Sequence, residues 1–430
     1  MSQKFAAVKG MNDLLPPQIE TWQFIERTAR EVFARYGYSE VRTPIVEDTA
    51  LFVRSVGEGT DIVGKEMYTF TDRGERSITL RPEGTAPAAR AYIENNVTNK
   101  EPLTRWYYMG PMFRYERMKT GRYRQFYQIG AEAYGPADAA QDVEIIALVN
   151  QVLKRIGVPD IVLRLNSLGD AASRPAYLEA LRKYFEPFRS TFSADLAATL
   201  ERNPMRLLDS KDPALKEMIA AAPAIVDFID DAAKAHFADV QKLLTKLGIT
   251  FVLDRTLVRG LDYYSRTTFE FVYEPSAGTN ALGTAGTVCG GGRYDGLISE
   301  LGGPEKPAVG FAMGLDRLVL LLEASGARKA SRPTLFIGTF DGAMRDEAVF
   351  LVTQLRNAGF TVDFDPRGGK MKRQIERALK VSARFFGALG ENELKSQKIE
   401  IKNLEKPDGA ENKIEVALGD LPQWLRTTEA

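Results

Sequence analysis

The sequence predicts an α+β domain with an antiparallel sheet and flanking helices, interrupted by a helical insertion and followed by a smaller α/β domain. Three observations support this fold class. Two long strand-like runs flank a polar hairpin, residues 171–247 are helical and alanine-rich, and strands alternate with helices beyond residue 333. The chain has 430 residues, which is long for a single hydrophobic core.

The first domain opens with a predicted helix and continues with strands. Apolar residues recur at helical spacing over residues 16–36, and Gly37 stands where a C-terminal cap belongs. Runs rich in β-branched and aromatic residues predict strands at 40–45, 67–71, 77–81, 104–116, 124–135, 249–253, 267–273 and 308–313. The polar residues 117–123 then form a hairpin between two antiparallel strands. A buried helix is predicted at 315–323.

A short linker separates the two domains. Residues 324–333 are small, polar and poor in apolar side chains, which is typical of linkers. Beyond them, strand and helix alternate, which indicates a separate α/β domain. We therefore place the first domain at 1–325 with an insertion at about 171–247, the linker at 326–333 and the second domain at 334–430.

The composition narrows the classes of function. The 57 basic and 57 acidic residues balance, so a nucleic-acid-binding surface must be a local patch. A single cysteine, Cys289, excludes an internal disulfide and fits a reducing compartment. No apolar run approaches the length of about 18 residues that a membrane span needs, and the N-terminus lacks a signal core. We therefore expect a cytoplasmic protein without a membrane segment.

The single histidine, His236, has no second metal ligand at a suitable spacing in its own stretch of sequence. Zinc sites need several nitrogen or sulfur ligands, and Ser-His-Asp or Cys-His catalysis needs an imidazole beside a nucleophile. We therefore expect no metal held by a protein cage and no imidazole in catalysis.

Two glycine-rich segments do not predict a nucleotide-binding loop. Residues 59–65 fit the first seven positions of a P-loop, but Glu66 stands where that motif needs a hydroxyl. A carboxylate there would repel phosphate. Residues 290–296 lack both the spacing and the flanking βαβ unit of a dinucleotide fingerprint.

Three arginines stand among glycine and apolar strand residues. Arg114 ends an aromatic strand, Arg317 begins the helix after residues 310–314, and Arg259 lies in residues 257–264. A guanidinium binds phosphate through two parallel hydrogen bonds and stays charged. A surface ion pair is the usual role of an arginine. Three of them in such apolar surroundings favour an anionic ligand instead.

The predicted strand around residue 130 has two different faces. Ile129 and Ala131 lie on an apolar face that suits the core. Gln128, Gly130 and Glu132 lie on the other face, where an amide and a carboxylate flank a glycine that leaves room. This arrangement suits a small polar ligand, and a solvent-facing strand side is the alternative.

These segments together resemble the class II aminoacyl-tRNA synthetases. Residues 37–46, 113–130 and 310–317 resemble the three motifs of that class. Residues 257–264 (LVRGLDYY) and 290–297 (GGGRYDGL) are similar to the two histidine-specific signatures of the histidyl-tRNA synthetases, and residues 9–16 and 79–85 match the same family. The resemblance extends from about residue 8 to the C-terminus, so it includes the insertion and an anticodon-binding-like second domain.

The resemblance implies that the chain activates L-histidine with ATP, accompanied by Mg²⁺, and transfers it from histidyl-adenylate to the 3′ end of tRNA(His). It implies that Arg114, Glu116 and Arg317 bind ATP and that Arg259 lies at the α-phosphate, so that Arg259, Arg114 and Arg317 are catalytic. The histidine-binding residues that it implies are Glu83, Thr85, Gln128, Glu132, Tyr263 and Tyr264.

Contacts with tRNA are expected in two places. The loop that resembles part of the second class motif meets the acceptor end in this family and contributes Arg117, Lys119 and Arg122. It carries Met118 and Lys119 where many members have proline and glutamine, so the resemblance does not determine how the acceptor end is recognised there. In the second domain, Lys370, Arg373 and Arg377 share one helix face and form a basic patch for tRNA phosphates, with a solvated helix side as the alternative.

The resemblance also implies a homodimer through residues 37–46. A catalytically inactive, synthetase-like regulatory paralogue that binds histidine or tRNA is the alternative function. The presence of Arg114, Arg259, Arg317 and the second domain favours the enzyme. We expect the insertion to contact the acceptor stem, so its removal should weaken charging and spare adenylate formation.

Overall fold

The computed structural model describes residues 5–57, 60–170, 172–210, 212–275, 281–282, 286–326, 332–340, 344–406 and 412–429. The chain divides into two compact units, Met1–Lys329 and Ala330–Ala430. Most of the predicted linker, residues 327–331, lies outside the described residues, as does Gly59 of the P-loop-like segment. Within the described residues, no helix is long and apolar enough to span a membrane.

The first unit consists of helices and two β-sheets. Its helices are α1 Gln18–Arg35, α2 Thr49–Val56, α3 Thr85–Glu94, α4 Ala139–Ile156, α5 Arg174–Phe185, α6 Ala194–Arg202, α7 Lys216–Ala220, α8 Asp231–Lys246, α9 Leu297–Glu300 and α10 Leu315–Ala324. Its strands are β1 Ser39–Glu40, β2 Val46–Asp48, β3 Tyr68–Thr71, β4 Ser77–Leu80, β5 Thr104–Phe113, β6 Gln125–Tyr134, β7 Ile161–Ser167, β8 Val252–Leu253, β9 Ser265–Tyr273, β10 Thr287–Arg293 and β11 Ala308–Gly314.

The large sheet has the strand order β1-β5-β6-β11-β10-β9-β7-β8. Its central pairs are antiparallel, and only the two edge pairs, β1 with β5 and β7 with β8, run parallel. A smaller antiparallel sheet has the order β2-β4-β3. The predicted α+β fold with an antiparallel sheet and flanking helices is confirmed.

One face of the large sheet is covered by α1, α4, α8 and α10, which contribute to a single hydrophobic core. The apolar face predicted for β6 lies in this core, because Ile129, Ala131 and Ala133 are buried there. The apolar residues that follow Gly314, including Leu318 and Leu322, are buried on α10 as expected. The opposite face of β6 is therefore left for the functional site.

The chain departs from the predicted strand at residues 40–45. The extended run breaks into β1 and β2, which belong to different sheets. Between them, Arg81 Nη1 donates hydrogen bonds to the carbonyl and hydroxyl oxygens of Thr43, each at 3.0 Å. Pro44 follows and has no N–H to donate to a strand ladder. The chain crosses between the two sheets at this point.

A glycine-rich segment forms a central strand that was not predicted. Strand β10 includes Gly290, Gly291 and Gly292 and is buried between β9 and β11. A Cβ atom on Gly291 would lie 2.3 Å from the Gly310 carbonyl oxygen, and one on Gly292 would lie 2.6 Å from the Thr267 carbonyl oxygen. Glycine is required here because the neighbouring strands approach too closely for a side chain.

The predicted insertion contains two structurally different parts. Helices α5, α6 and α7, with short 3-10 segments between them, form a second hydrophobic core with Tyr263, Tyr264 and Tyr294 of the main body. Helix α8 instead packs against α4 through Phe237, Val240 and Leu244. We use "inserted module" for residues 174–229, which precede α8.

The second unit is a small α/β fold. Its strands are β12 Leu335–Thr339, β13 Val362–Phe364, β14 Phe385–Leu389, β15 Lys398–Asn403 and β16 Lys413–Ala417, and its helices are α11 Arg345–Asn357, α12 Met371–Lys380, α13 Glu391–Ser396 and α14 Leu421–Glu429. The sheet order is β13-β12-β14-β15-β16, with β12 parallel to both of its neighbours. The predicted α/β architecture is confirmed.

Candidate active site

A polar cavity of about 210 Å³ lies on the face of the large sheet opposite the helical core. It brings together residues that are far apart in the sequence and that were predicted to bind ATP or histidine. Those that line it are Glu83, Thr85, Arg114, Glu116, Gln128, Arg259, Tyr263, Tyr264 and Arg317, together with Arg122 from the hairpin. Glu132 lies beneath its floor and does not line it.

Backbone carbonyl groups hold two of the arginines in place. Arg114 Nε donates to the Pro82 carbonyl oxygen at 2.9 Å, and Arg317 Nε donates to the Gly121 carbonyl oxygen at 3.3 Å. Arg317 Nη1 also donates to the Thr287 carbonyl oxygen. These contacts fix each guanidinium without neutralising its charge.

Positive charge accumulates around Arg317 in the cavity. Burial lowers the pKa of Arg317, and the neighbouring positive charge of Arg122 lowers it further. Arg122 forms an ion pair with Glu116 at 2.8 Å, so Glu116 offsets only part of this charge. An anion such as phosphate would relieve the remaining repulsion.

Arg259 is held by an acidic partner that was not predicted. Glu270 on β9 forms an ion pair with Arg259 and accepts a hydrogen bond from Thr287 Oγ1 at 2.9 Å. Burial opposes the charge of Arg259, but Glu270, Tyr264 and Tyr263 together outweigh burial and keep the pKa of Arg259 above its usual range. A Cβ atom on Gly290 would lie 2.3 Å from Arg259 Nη2, so this glycine provides the space for the guanidinium.

Glu83 lies at the start of α3. Its carboxylate accepts hydrogen bonds from the backbone N–H groups of Thr85 at 2.7 Å and Ala86 at 2.8 Å. Burial raises the pKa of Glu83 despite these bonds. Glu83 therefore caps a helix and also faces the cavity.

Glu132 is fully buried and is surrounded by hydroxyl groups. Its Oε1 accepts from Thr85 Oγ1 at 2.8 Å and from Tyr108 Oη at 3.0 Å, and its Oε2 accepts from Tyr294 Oη. Burial outweighs these bonds and raises the pKa of Glu132 to about 8. The carboxylate lies over Gly310, where a Cβ atom would be 1.7 Å from Oε2.

The space above Gly130 is not available to a ligand, contrary to the sequence-based expectation. The Tyr108 ring fills it, because a Cβ atom on Gly130 would lie 2.4 Å from Tyr108 Cζ. Tyr108 is paired with Gly130 across β5 and β6, so strand register places the ring there. Gln128, two residues earlier, lines the cavity, and its buried Oε1 has no hydrogen-bond partner within the part of the chain that the structure describes.

Sequence reasoning missed Glu270, Tyr108 and Tyr294. Glu270 could have been found, because it is the single carboxylate in β9 and stands between Phe269 and Phe271. Tyr108 gave no such signal, since tyrosine is common in strands. Tyr294 lies in the signature at residues 290–297 but was not assigned to the site.

The predicted tRNA-binding residues are spread over the two units. Arg117 and Lys119 are exposed on the loop between β5 and β6, outside the cavity, whereas Arg122 lines it. In the second unit, Lys370 is exposed directly before α12 and Arg373 is exposed on it. Arg377, also on α12, forms an ion pair with Asp365 at 3.6 Å.

Two protein-family models match the chain. The model described as histidyl-tRNA synthetase matches residues 10–318, and the model described as anticodon binding domain matches residues 334–428. The histidine–tRNA ligase of Synechococcus elongatus is 46% identical over 424 residues, which cover 99% of this chain and 96% of the relative. The histidine–tRNA ligase of Geobacillus thermodenitrificans is 45% identical over 425 residues, which cover 98% of each chain.

A similar solved structure is the apo histidyl-tRNA synthetase of S. aureus. It is 37% identical, with a TM-score of 0.79, and the match covers 98% of this chain and 100% of that one. The family model covers well over half of the chain, and the similarity to these relatives extends over nearly its whole length. The chain therefore belongs to the histidyl-tRNA synthetase family.

Proposed function

We propose that the chain activates L-histidine with ATP and transfers it to the 3′ end of tRNA(His). The observation that carries this proposal is Glu132, a buried carboxylate that is bonded to hydroxyl groups only and lies beside an arginine-rich cavity. A ligand that brings its own N–H groups or positive charge would stabilise such a carboxylate. The relatives named histidine–tRNA ligase support the same function.

The side chains that line the cavity suit both small substrates, ATP and histidine. Arg114, Arg317 and Arg259 face the region that phosphates would occupy, and Glu116 accompanies them as the residue proposed for ATP. The carboxylates, the amide and the phenols of the same cavity suit the ammonium and imidazole groups of histidine. The residues that we assign to histidine are Glu83, Thr85, Gln128, Tyr263 and Tyr264, with Glu132 acting from beneath.

The chemistry needs no general base from the protein. In the first step, a carboxylate oxygen of histidine attacks the α-phosphorus, and the bond to pyrophosphate breaks. This carboxylate is already ionised at neutral pH, so catalysis reduces to alignment and to stabilising charge on the α-phosphate. In the second step, the terminal hydroxyl of tRNA attacks the adenylate carbonyl, AMP leaves, and the adenylate phosphate can accept the proton.

Mg²⁺ would accompany ATP. Within the described residues, no group of three or more His, Cys, Asp and Glu side chains lies close enough to hold a metal ion. Glu116 lines the cavity, and burial together with Glu116 raises the pKa of nearby Glu66. These carboxylates fit the usual mode of Mg²⁺, which binds one or two carboxylates, phosphates and water. When bound, the ion would offset phosphate charge.

We also propose a cytoplasmic homodimer. Ile45 and Val46 in and beside β2, and Phe70 on β3, are exposed apolar side chains on or next to the smaller sheet. Ile45 and Val46 belong to the segment that resembles the dimer motif, residues 37–46, and Phe70 lies on the same small sheet as Val46. Light scattering on the purified protein would test the dimer, and a monomer at micromolar concentration would contradict it.

Amino-acid-dependent ATP–pyrophosphate exchange tests the activation step. Purified protein with ATP and Mg²⁺ is assayed against all twenty amino acids. We expect exchange with histidine alone. Exchange with a different amino acid would contradict the specificity. No exchange from a folded protein that still binds histidine or tRNA would favour the inactive regulatory paralogue.

The tRNA-binding surface is tested separately by measuring tRNA binding at several salt concentrations, with pyrophosphate exchange as the reference. Replacing Lys370 or Arg373 with glutamine removes an exposed positive charge and should reduce the salt dependence of tRNA binding by about one phosphate contact. Pyrophosphate exchange should not change. Lys395, which forms an ion pair with Glu391 on α13, provides the matched control for loss of an exposed lysine. An equal effect of Lys395→Gln would contradict the patch.

Arg117, Lys119 and Arg122 are proposed for the acceptor end.

A further inference from the structure

The inserted module contacts the segment that carries three proposed active-site residues, Arg259, Tyr263 and Tyr264. The two tyrosines share a hydrophobic core with side chains of the module, including Tyr177 on α5. The module therefore forms part of the support behind the proposed histidine site.

Two arginines of the module hold this segment by its backbone. At the start of α5, Arg174 Nη1 donates to the Asp262 carbonyl oxygen at 3.2 Å, and its Nη2 donates to the Tyr264 carbonyl oxygen. In the 3-10 segment Pro204–Asp209, Arg206 Nη2 donates to the Gly260 carbonyl oxygen at 3.3 Å and to Asp262 Oδ1 at 3.0 Å. The two guanidinium groups bind alternate residues, 260, 262 and 264.

Residues 258–260, on either side of Arg259, border open space on the side of the inserted module. A second cavity, of about 280 Å³, separates the module from residues 258–260. A Cβ atom on Gly260 would meet no other atom within 4 Å in the described part of the chain. Val258 and Leu261 pack against the second hydrophobic core, and between them the hydrogen bond from Arg206 holds the Gly260 carbonyl oxygen.

We propose that Arg174 and Arg206 are positioning residues, through which the inserted module sets the location of Arg259 and thereby the rate of histidine activation. This inference rests on the function proposed above. It also changes the expectation for the module, because its removal would take away both arginines and the apolar support of Tyr263 and Tyr264. Adenylate formation would then not be spared.

Rate and stability should separate at Arg206. The side chains of Arg206 and Asp262 are 22% and 39% exposed, and an ion pair with that much exposure contributes little to stability. A displacement of about 1 Å at a reacting group, however, can reduce a rate by up to about 10²-fold. Losing Arg206 should therefore reduce turnover and leave the fold intact.

The experiment compares Arg206→Gln with Arg202→Gln in the full-length protein. Arg202 lines the same second cavity, but its Nε donates to the Ala198 carbonyl oxygen of its own helix, at 3.4 Å, and not to residues 260–264. We expect Arg206→Gln to lower kcat for histidine-dependent pyrophosphate exchange by about tenfold, with little change in the KM for ATP. We expect Arg202→Gln to match the parent.

Three further measurements make the test specific. Arg206→Lys keeps the positive charge near Asp262 and should recover part of the lost activity. Asp262→Asn should have a smaller effect in the Arg206→Gln background than in the parent, because the two residues act through one contact. Arg174→Gln should lower kcat independently, and thermal unfolding of each variant shows whether the fold is retained.

The outcomes distinguish this inference from the proposed function. A parent protein without histidine-dependent exchange would contradict the proposed function. Parent-like kcat in both Arg206→Gln and Arg174→Gln would overturn only the inference. Equal loss in Arg206→Gln and Arg202→Gln, accompanied by a lower unfolding temperature, would also overturn it, since the arginine would then be merely structural.

Discussion

Two buried carboxylates in the first unit have opposite electrostatic surroundings. Glu132 and Asp142 are both completely inaccessible to solvent. Glu132 accepts hydrogen bonds from three hydroxyl groups, and burial raises its pKa to about 8. Asp142 accepts from Arg293 and Thr267 and contacts His236 at 2.7 Å. Burial opposes its ionisation, but His236 and Arg293 outweigh burial and lower its pKa.

The difference separates a structural carboxylate from one that is suited to a ligand. Asp142 has a cation inside the protein, and its contacts connect α4, α8, β9 and β10. Glu132 has no such cation among its bonded neighbours, so its negative charge is stabilised less well in the empty protein. A ligand with N–H groups would complete its surroundings. Burial alone therefore does not indicate the role of a charged residue, whereas its partners do.

The largest expected effect is the loss of activity in Glu132→Gln. The amide keeps the shape and removes the charge that we assign to histidine binding. We expect kcat/KM for histidine in pyrophosphate exchange to fall on the order of 10³-fold. Urea unfolding at pH 8 should show no loss of stability. Activity within tenfold of the parent would mean that Glu132 is structural, like Asp142.

Asp142→Asn should instead affect stability. The variant leaves the buried Arg293 guanidinium without its main counter-charge, and breaking such a pair costs about 3 kcal/mol. Urea unfolding should therefore show a lower free energy of unfolding. Glu144→Gln is the control on the same helix, because its pair with Arg105 is part-exposed and should contribute less than about 1 kcal/mol. Equal losses in the two variants would remove the distinction between them.

Arg259→Ala tests the cationic end of the cavity. If this guanidinium stabilises charge on the α-phosphate, histidine activation should fall by roughly 10²-fold or more. Pyrophosphate exchange measures the effect. Arg255→Ala is the control, because Arg255 precedes the same segment and is 64% exposed. Activity within about threefold of the parent would exclude Arg259 from a role of this size in the mechanism.

The fold was predictable where the side-chain pattern determines the strand. An apolar face was expected on β6, and its residues Ile129, Ala131 and Ala133 lie in the core. Strand β10 could not be predicted, because Gly290, Gly291 and Gly292 have little strand propensity of their own. Their conformation depends on close approach by β9 and β11, which a local pattern does not contain.

The candidate site was predictable where a motif marks it and not where strand register forms it. Arg114, Arg259 and Arg317 stand out in the sequence and line one cavity. Tyr108 reaches Glu132 because pairing of β5 with β6 places it there, and it has no local signal, whereas Tyr294 lies in the signature at residues 290–297 without its contact with Glu132 being readable from it. The same limit explains why the space above Gly130 was assigned to a ligand.

The smallest expected effect is a difference in pH dependence. The folded-state pKa of Glu132, about 8, lies above its usual 4.5. Its contribution to stability is therefore complete below about pH 4.5 and is lost as pH rises through 8. The glutamine in Glu132→Gln cannot ionise. The free energy of unfolding of the variant minus that of the parent should therefore increase by about 2 kcal/mol as the pH rises from about 5.5 to 7.

Asp142 should give the opposite dependence. Its pKa is lowered in the folded state, so its contribution is present above about pH 4 and is lost only as pH falls through the folded-state value. The difference between the parent and Asp142→Asn should therefore be constant from about pH 5.5 to 7. Titrating groups that contact neither carboxylate cancel in these differences, and His236, which contacts Asp142, is replaced by Gln in all three proteins so that it does not titrate. Urea unfolding across this pH range measures both differences. If neither difference changed with pH, the pKa of Glu132 would not be raised in the folded protein.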